Sequence, residues 1–328
     1  MAARDAAAPA RAVNMEELTG SATGMGTYRR RTWFVRGEIA ASGDGTSWTT
    51  AFKTPQEAIT AEAAVQAVAT GDGAQIIIGP GVYTAAGGNP VLQLDSNTAA
   101  QDVAGVWIRA LNPDTVEFAG QAGAATNTVE LLGVEGVTID GIRFSRAAYD
   151  AGSADIHLNE DTAGPGTRAA DFTRIINCNF STAPGAVNVH SHYSIEALGA
   201  AHMEVANCVF MEKTGAANGV HIFLDQSVTF AGGGARIHHC TFHGAQDYDI
   251  DYTGGTGVQD SNMIWTCMFR HGAAGKGIGD IPAPAGSIII TWMDCVCGGY
   301  ANAAAFLTNT NAGGAGVDYT EVGNTYAV

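Results

Sequence analysis

Charge is scarce in this chain. Asp, Glu, Lys and Arg supply 15% of its 328 residues, against roughly 25% in an average soluble domain. Long solvated helices need a charged face, so few are expected. Positive charge is scarcer still. Sixteen Lys and Arg stand against 32 Asp and Glu, for a net charge of −16, which argues against nucleic acid as a partner. No stretch of about 18 apolar residues occurs, so no membrane-spanning helix is expected. The N-terminus has no apolar segment of the kind a secretion signal carries. There is no Gly-X-Y period, which excludes a collagen-like chain. The six Cys include no Cys-x-x-Cys pair. Cys295 and Cys297 stand one residue apart, too little for a zinc site. No metal and no cofactor are therefore expected.

What the chain does have is glycine, 43 residues of it, nearly twice the usual share of about 7%. Hydrophobic residues make up 46%, enough for a core. That mixture points to short strands and many turns. The arginines gather at one end: residues 1–36 hold Arg4, Arg11, Arg29, Arg30, Arg31 and Arg36 against Asp5, Glu16 and Glu17. A short basic arm precedes an acidic body, and the change of sign suggests that arm and body face different partners.

A repeat organises the body. Asn177-Cys178-Asn179-Phe180 recurs as Asn207-Cys208-Val209-Phe210, His239-Cys240-Thr241-Phe242 and Thr266-Cys267-Met268-Phe269. Asp294-Cys295-Val296-Cys297 keeps the phase, and Gly141-Ile142-Arg143-Phe144 and Gly323-Asn324-Thr325-Tyr326 fit the same slot. Positions 142, 178, 208, 240, 267, 295 and 324 are 36, 30, 32, 27, 28 and 29 residues apart. Each unit opens with a short β-rich run such as Arg174-Ile175-Ile176. A second run follows the Phe, as in Asp155-Ile156-His157-Leu158. Helical periodicity is absent after about residue 70. Such a unit describes one coil of a parallel β-helix, whose coils stack about 4.8 Å apart so that like positions superpose. Cys178, Cys208, Cys240, Cys267 and Cys295 then form one buried ladder of reduced thiols. Phe144, Phe180, Phe210, Phe242 and Phe269 form another.

The opening of the body carries a resemblance. Ser42-Gly43-Asp44-Gly45-Thr46-Ser47-Trp48 leads to Ala51-Phe52-Lys53-Thr54, a helical stretch from Pro55, Gly71-Asp72-Gly73, and Ile76-Ile77-Ile78-Gly79-Pro80-Gly81-Val82-Tyr83. This resembles the start of right-handed parallel β-helix proteins of the pectate-lyase-like superfamily. The resemblance implies an all-β solenoid whose first coil is covered by a short helix. Thr54-Pro55 suits an N-cap and first helical position, and Glu57 completes a capping box. Three regions follow: an N-terminal arm, 1–31; an opening strand and capping helix, 32–70; and a β-helix of about eight or nine coils, 71–328. The last coil is expected to need cover from another subunit or from its own turns.

Pectate lyases of this fold gather acids for Ca²⁺ beside an Arg or Lys base, and no matching set is found. The glycosidase series of the superfamily is missing as well: there is no Asp-Asp pair, and His243-Gly244 lacks its leading Gly. The most polar outer face comes from the second run. If Ile156, Val189, Ile222 and Ile250 stack inward, one outward column is Asp155, Asn188, His221 and Asp249. The other is His157, His190, Phe223 and Asp251. Stacked His and Asp suit an acid/base pair or a divalent cation. Alternation along a solvated strand produces the same pattern. Arg29, Arg30 and Arg31 are the candidate anchoring residues of the arm.

Two functions follow. The chain resembles phage appendages and capsid-decorating proteins, which join an anchoring arm to a short, commonly trimeric β-helix. That implies a non-enzymatic structural protein located in the virion. Its partners would be further copies of itself in a homotrimer and capsid or tail proteins bound through the arm, with a host-surface glycan as a further candidate. The alternative is a polysaccharide-cleaving β-helix, a tailspike depolymerase or lyase.

Overall fold

The computed structural model describes residues 31–68, 73–85, 87–121, 126–146, 150–160, 170–181, 191–200, 202–211, 219–225, 234–244, 248–253, 262–270, 277–281, 288–302, 306–309 and 317–327. Among them, short strands form three sheets of ten, nine and eight strands, in which successive neighbours pair parallel. The first sheet runs from Arg31–Val35 and Ala74–Ile78 up to Ile288–Met293 and Val317–Val322. The second runs from Gly81–Thr84 to Thr325–Ala327, and the third from Leu92–Asp95 to Leu307–Asn309. The chain visits the first, second and third sheets in turn and then begins again one rung higher. This is a right-handed parallel β-helix, as the period implies.

The corner between the first and second sheets explains the repeat. From residue 141 onward, one residue per coil at this corner sits in the left-handed region: Gly141 (φ 72°), Asn177 (55°), Asn207 (53°), His239 (53°), Thr266 (52°), Asp294 (52°) and Gly323 (67°). Its N–H donates to the coil above, as from Asn177 to Ala206 O at 3.0 Å and from Thr266 to Met293 O at 3.0 Å. Asn and Asp tolerate this conformation through local side-chain bonding, and Gly has no Cβ to clash. The next residue is thereby turned inward, which is the Cys position. All six thiols are free and buried. Along the ladder each Sγ lies 3.2–3.5 Å from the carbonyl oxygen two residues earlier.

Two residues further on, the Phe ladder fills the interior. Phe144, Phe180, Phe210, Phe242 and Phe269 stack with centroids 4.7–5.0 Å apart and ring planes within 10° of parallel. Cys297 takes the next rung in register with Phe269. Phe306 fills the space a small residue leaves there, with its ring edge-on to Phe269 at 4.8 Å. In the coil of residues 317–327, Asn324 holds the Cys slot. Its side chain accepts from Cys295 N at 2.8 Å and donates to Trp292 O at 3.2 Å.

The other end is covered by the helix Pro55–Gln66, whose capping box between Thr54 and Glu57 is formed as predicted. Pro55, Ala58, Ile59 and Ala63 are buried, and so is Glu62. Glu62 accepts from Arg31 Nε and Nη2 at 3.0 and 2.6 Å, from Trp33 Nε1 at 2.8 Å and from Gln66 Nε2 at 2.9 Å. Arg31, counted with the arm on sequence grounds, is therefore the first residue of the opening strand and ties that strand to the helix. Residues 1–30 lie outside the described residues.

Thr266 is β-branched and exposed at φ 52°, where an L side chain costs about 1–2 kcal/mol. Thr266→Asn is expected to raise the urea midpoint at unchanged slope, by about 1 kcal/mol in free energy. Glu62 supplies a pH prediction. Burial pushes its carboxyl up, but the bonds from Arg31, Trp33 and Gln66 outweigh this and hold it below its ordinary value. A depressed carboxyl contributes stability above its unfolded pKa that is lost as pH falls through the folded one. Urea titrations from neutral pH into acid should therefore show wild-type stability falling more steeply than that of Glu62→Gln, which starts lower.

Candidate functional site

The third sheet carries the residues that the sequence marks as candidates, and its register rearranges them. Ile156 pairs with Ile195, Ile195 with Ile222 and Ile222 with Ile250. The inward apolar column thus takes Ile195, not Val189, because the strand of that coil is Ser191–Leu198. Asn188 and His190 lie outside the described residues. Ser194 and Glu196 hold the rungs predicted for them.

The first predicted column does not face outward. Asp155 and Ser194 are buried, and His221 and Asp249 have no exposure at all. The reason is the corner. Strict alternation begins only at Ile222, with Phe223 out and Leu224 in. One residue earlier, within the same strand, the N–H groups of His221 and Ile222 both donate to the coil above, to Tyr248 O and Asp249 O, which breaks the alternation and leaves His221 facing the Phe ladder. Its ring lies 5.4 Å from Phe210 and 6.0 Å from Phe242 between centroids. Its Nε2 is 3.7 Å from Asp249 Oδ1. The same corner holds Arg146, which sequence reasoning missed. It is 2% exposed and donates to Gln121 O at 3.0 Å and Thr126 O at 2.8 Å. Gly120 is required beside it, since a Cβ there would stand 2.8 Å from Arg146 Cζ. A lone Arg before a loop carries no sequence signal for burial.

Of the second predicted column, His157 and Phe223 do face outward. His157 pairs in register with Glu130 and Glu196, and Glu196 with Phe223. His157 Nδ1 lies 2.7 Å from Glu196 Oε2, with both side chains about 13–15% exposed. Tyr193 and Phe223 stack beside them at 4.8 Å between centroids. Asp251, predicted to be exposed in this column, is 4% exposed. Tyr248 folds over the position above it, where a Cβ on Gly279 would stand 2.6 Å from Tyr248 Cγ and 2.7 Å from Asp251 Oδ1. The outer face therefore offers a carboxylate-backed imidazole beside an aromatic pair. That arrangement can hold one His tautomer and move a proton. Among the described residues, no group of three or more His, Cys, Asp or Glu is placed to hold a metal ion.

No protein-family profile matches the chain, and no curated protein matches it. Solved structures do. Pectate lyase Pel9A is 12% identical over 91% of this chain and 77% of its own, with a TM-score of 0.52. A rhamnogalacturonan lyase is 12% identical over 82% and 68%, also at 0.52. A protein of Geobacillus virus E2, ORF18, is 17% identical over 80% and 61%, at 0.32. The likeness to the two lyases establishes a shared parallel β-helix fold.

Cys297 tests the interior. Burial, with Cys295, Glu321 and Asp249 nearby, pushes its thiol up to about 12, so little thiolate exists near neutrality. Iodoacetamide at pH 8 should leave the folded protein unlabelled, while urea-unfolded protein takes six labels, one per Cys. Mass spectrometry under non-reducing conditions reads both states, and a defined disulfide set would contradict the free ladder.

Proposed function

We propose that this chain is a non-enzymatic structural protein of a virus particle. It decorates or projects from the capsid or tail, is attached through its N-terminal arm and acts as a homotrimer located in the virion. The observation that carries this reading is the burial of Asp155, His221 and Asp249. They are three of the seven residues of the predicted outer polar face on which an enzymatic reading rested, and they belong to the core. What remains is a rod whose backbone is paired from coil to coil, a durable surface that needs no catalytic apparatus. Residues 1–30 carry a net charge of only +1, with Arg4, Arg11, Arg29 and Arg30 against Asp5, Glu16 and Glu17, so attachment through them rests on the Arg29–Arg30 pair that directly precedes the acidic body. Large low-charge faces on a soluble rod are commonly covered by closed symmetry.

The His157–Glu196 pair beside Tyr193 and Phe223 favours a second reading, a polysaccharide-cleaving β-helix that meets a host-surface glycan. The two readings separate experimentally. Deleting residues 1–30 is expected to leave the circular dichroism and melting of the β-helix unchanged and to abolish incorporation into particles. Normal occupancy of the truncated chain would overturn the anchoring role. Light scattering is expected to give three copies per assembly. Release of reducing sugar from host polysaccharide that disappears in His157→Gln and Glu196→Gln would establish the second reading instead.

A further inference from the structure

The corner where each coil enters the ten-stranded sheet is built differently from the Cys corner. Two residues before the outward positions Gln75, Trp107, Thr138, Arg174 and Glu204 stand Gly73, Gly105, Gly136, Phe172 and His202. The three glycines stack closely. A Cβ on Gly73 would stand 2.0 Å from Gly105 O, and one on Gly136 would stand 3.5 Å from Gly105 Cα. They floor an open groove of about 310 Å³, which Gln66 and Glu135 flank and Phe172 lines one rung above Gly136.

Phe172 is the unexpected member of this column. Its backbone is left-handed at φ 54°, where a side chain adds strain, and it is 56% exposed. Its ring stacks on His202 at 5.0 Å between centroids and 11° between planes. Gly or Asn would take this turn with less strain and expose no ring. Strain kept at an exposed aromatic points to a contact that uses the ring.

The start of the first rung points to the occupant. Arg31 pairs with Ala74, so the chain before it enters one rung below Gly73, at the foot of the same column. Arg31 is fixed there, since Glu62 accepts from Arg31 and from Gln66. Gln66 in turn exchanges two bonds with the Ala104 backbone, at 3.0 and 3.1 Å. Residues 1–30 therefore join the body beside Gln66, at the mouth of the groove. From that rung the column climbs past Gly73, Gly105 and Gly136 to Phe172, about 19 Å at about 4.8 Å per rung. Extended chain covers this with about six residues at about 3.3 Å each, which brings Met25 to the ring. Gly24 and Gly26 flank Met25. Glycines allow a backbone to approach a glycine floor closely, and a thioether is a favourable partner for an aromatic ring.

We propose that residues 24–30 of the chain's own arm dock in this groove, with Met25 against Phe172. Docking holds Arg29 and Arg30 at the foot of the groove and fixes where the body presents that pair. The use made of the pair rests on the anchoring reading above; the dock itself does not. A dock of this size opens locally without unfolding the stack, so loss of the arm leaves the melting of the β-helix unchanged.

The full chain, outside any particle, provides the test. Hydrogen exchange read by mass spectrometry is expected to be about tenfold or more slower over residues 24–30 than over 1–19. Phe172→Asn suits the left-handed turn and removes the ring. It should erase that difference while the urea midpoint stays at or above the wild-type value. Benzophenone maleimide on Met25→Cys labels the introduced thiol, because the six native ones are buried. On irradiation it should crosslink to residues 135–136 or 172 of the same chain. In a mixture of ¹⁴N and ¹⁵N chains, crosslinks between unlike isotopes would assign the groove to another copy's arm and overturn the proposal. Equal exchange along residues 1–30, slow exchange that persists in Phe172→Asn, or crosslinks confined to other sites would overturn it as well. None of these readouts uses particle incorporation, so a failed dock and a failed anchor are told apart.

Discussion

The corner between the first and second sheets governs this molecule. From residue 141 onward each coil turns there through one residue in the left-handed conformation, and from Gly141 to Asp294 that residue donates its N–H to the coil above. Because the turn has no length to vary, the strands on either side of it stay in register over successive rungs. The Cys and Phe columns are consequences of that register. A thiol is small enough to sit at the inside of the corner, and a phenyl ring reaches the axis two residues later. Parallel rings follow, since identical side chains in identical surroundings repeat the same rotamer.

Elsewhere the coil is free to vary, and variation is where polar groups enter. The corner leading into the third sheet is fed by loops of different length. It takes Arg146, Asp155, His221 and Asp249 inside rather than a uniform apolar column. Arg146 is anchored by loop carbonyls of the coil below, so it serves the loop as much as the core. The upper end of the Phe ladder shows the same tolerance. The smaller Cys297 is matched by Phe306 arriving from a different part of its coil.

The covered end depends on a second polar device. Glu62 turns an apolar helix face into one that also holds the opening strand, because Arg31, Trp33 and Gln66 all donate to it. A helix resting on stacked strands by apolar contact alone could slide along them. A buried carboxylate with three partners permits one placement. The outer faces hold the remaining chemistry. There a carboxylate on one rung meets an imidazole on the next, a pairing that needs only the rung spacing and matching register.

Much of the fold was legible in the sequence. The 27–36-residue period, the Cys and Phe columns, the cap with its Thr54–Glu57 box and the parallel stack can all be read from residue types, since each depends on local turn chemistry or on a side chain repeated at fixed phase. The candidate site was legible only in part. His157 lies on an outer face, but its partner Glu196 is 39 residues away, and the spacing between coils decides which residues become neighbours. Val189 and Ile195 are equally apolar in the chain; only the neighbouring Ile columns select Ile195. His221 and Asp249 read as surface residues because alternation was extended through a corner where the backbone does not alternate. The sequence alone determined the repeat, because its cause is local, while the tertiary structure decided which polar groups meet and which are buried, because both depend on how loops of unequal length bring each coil back to the stack.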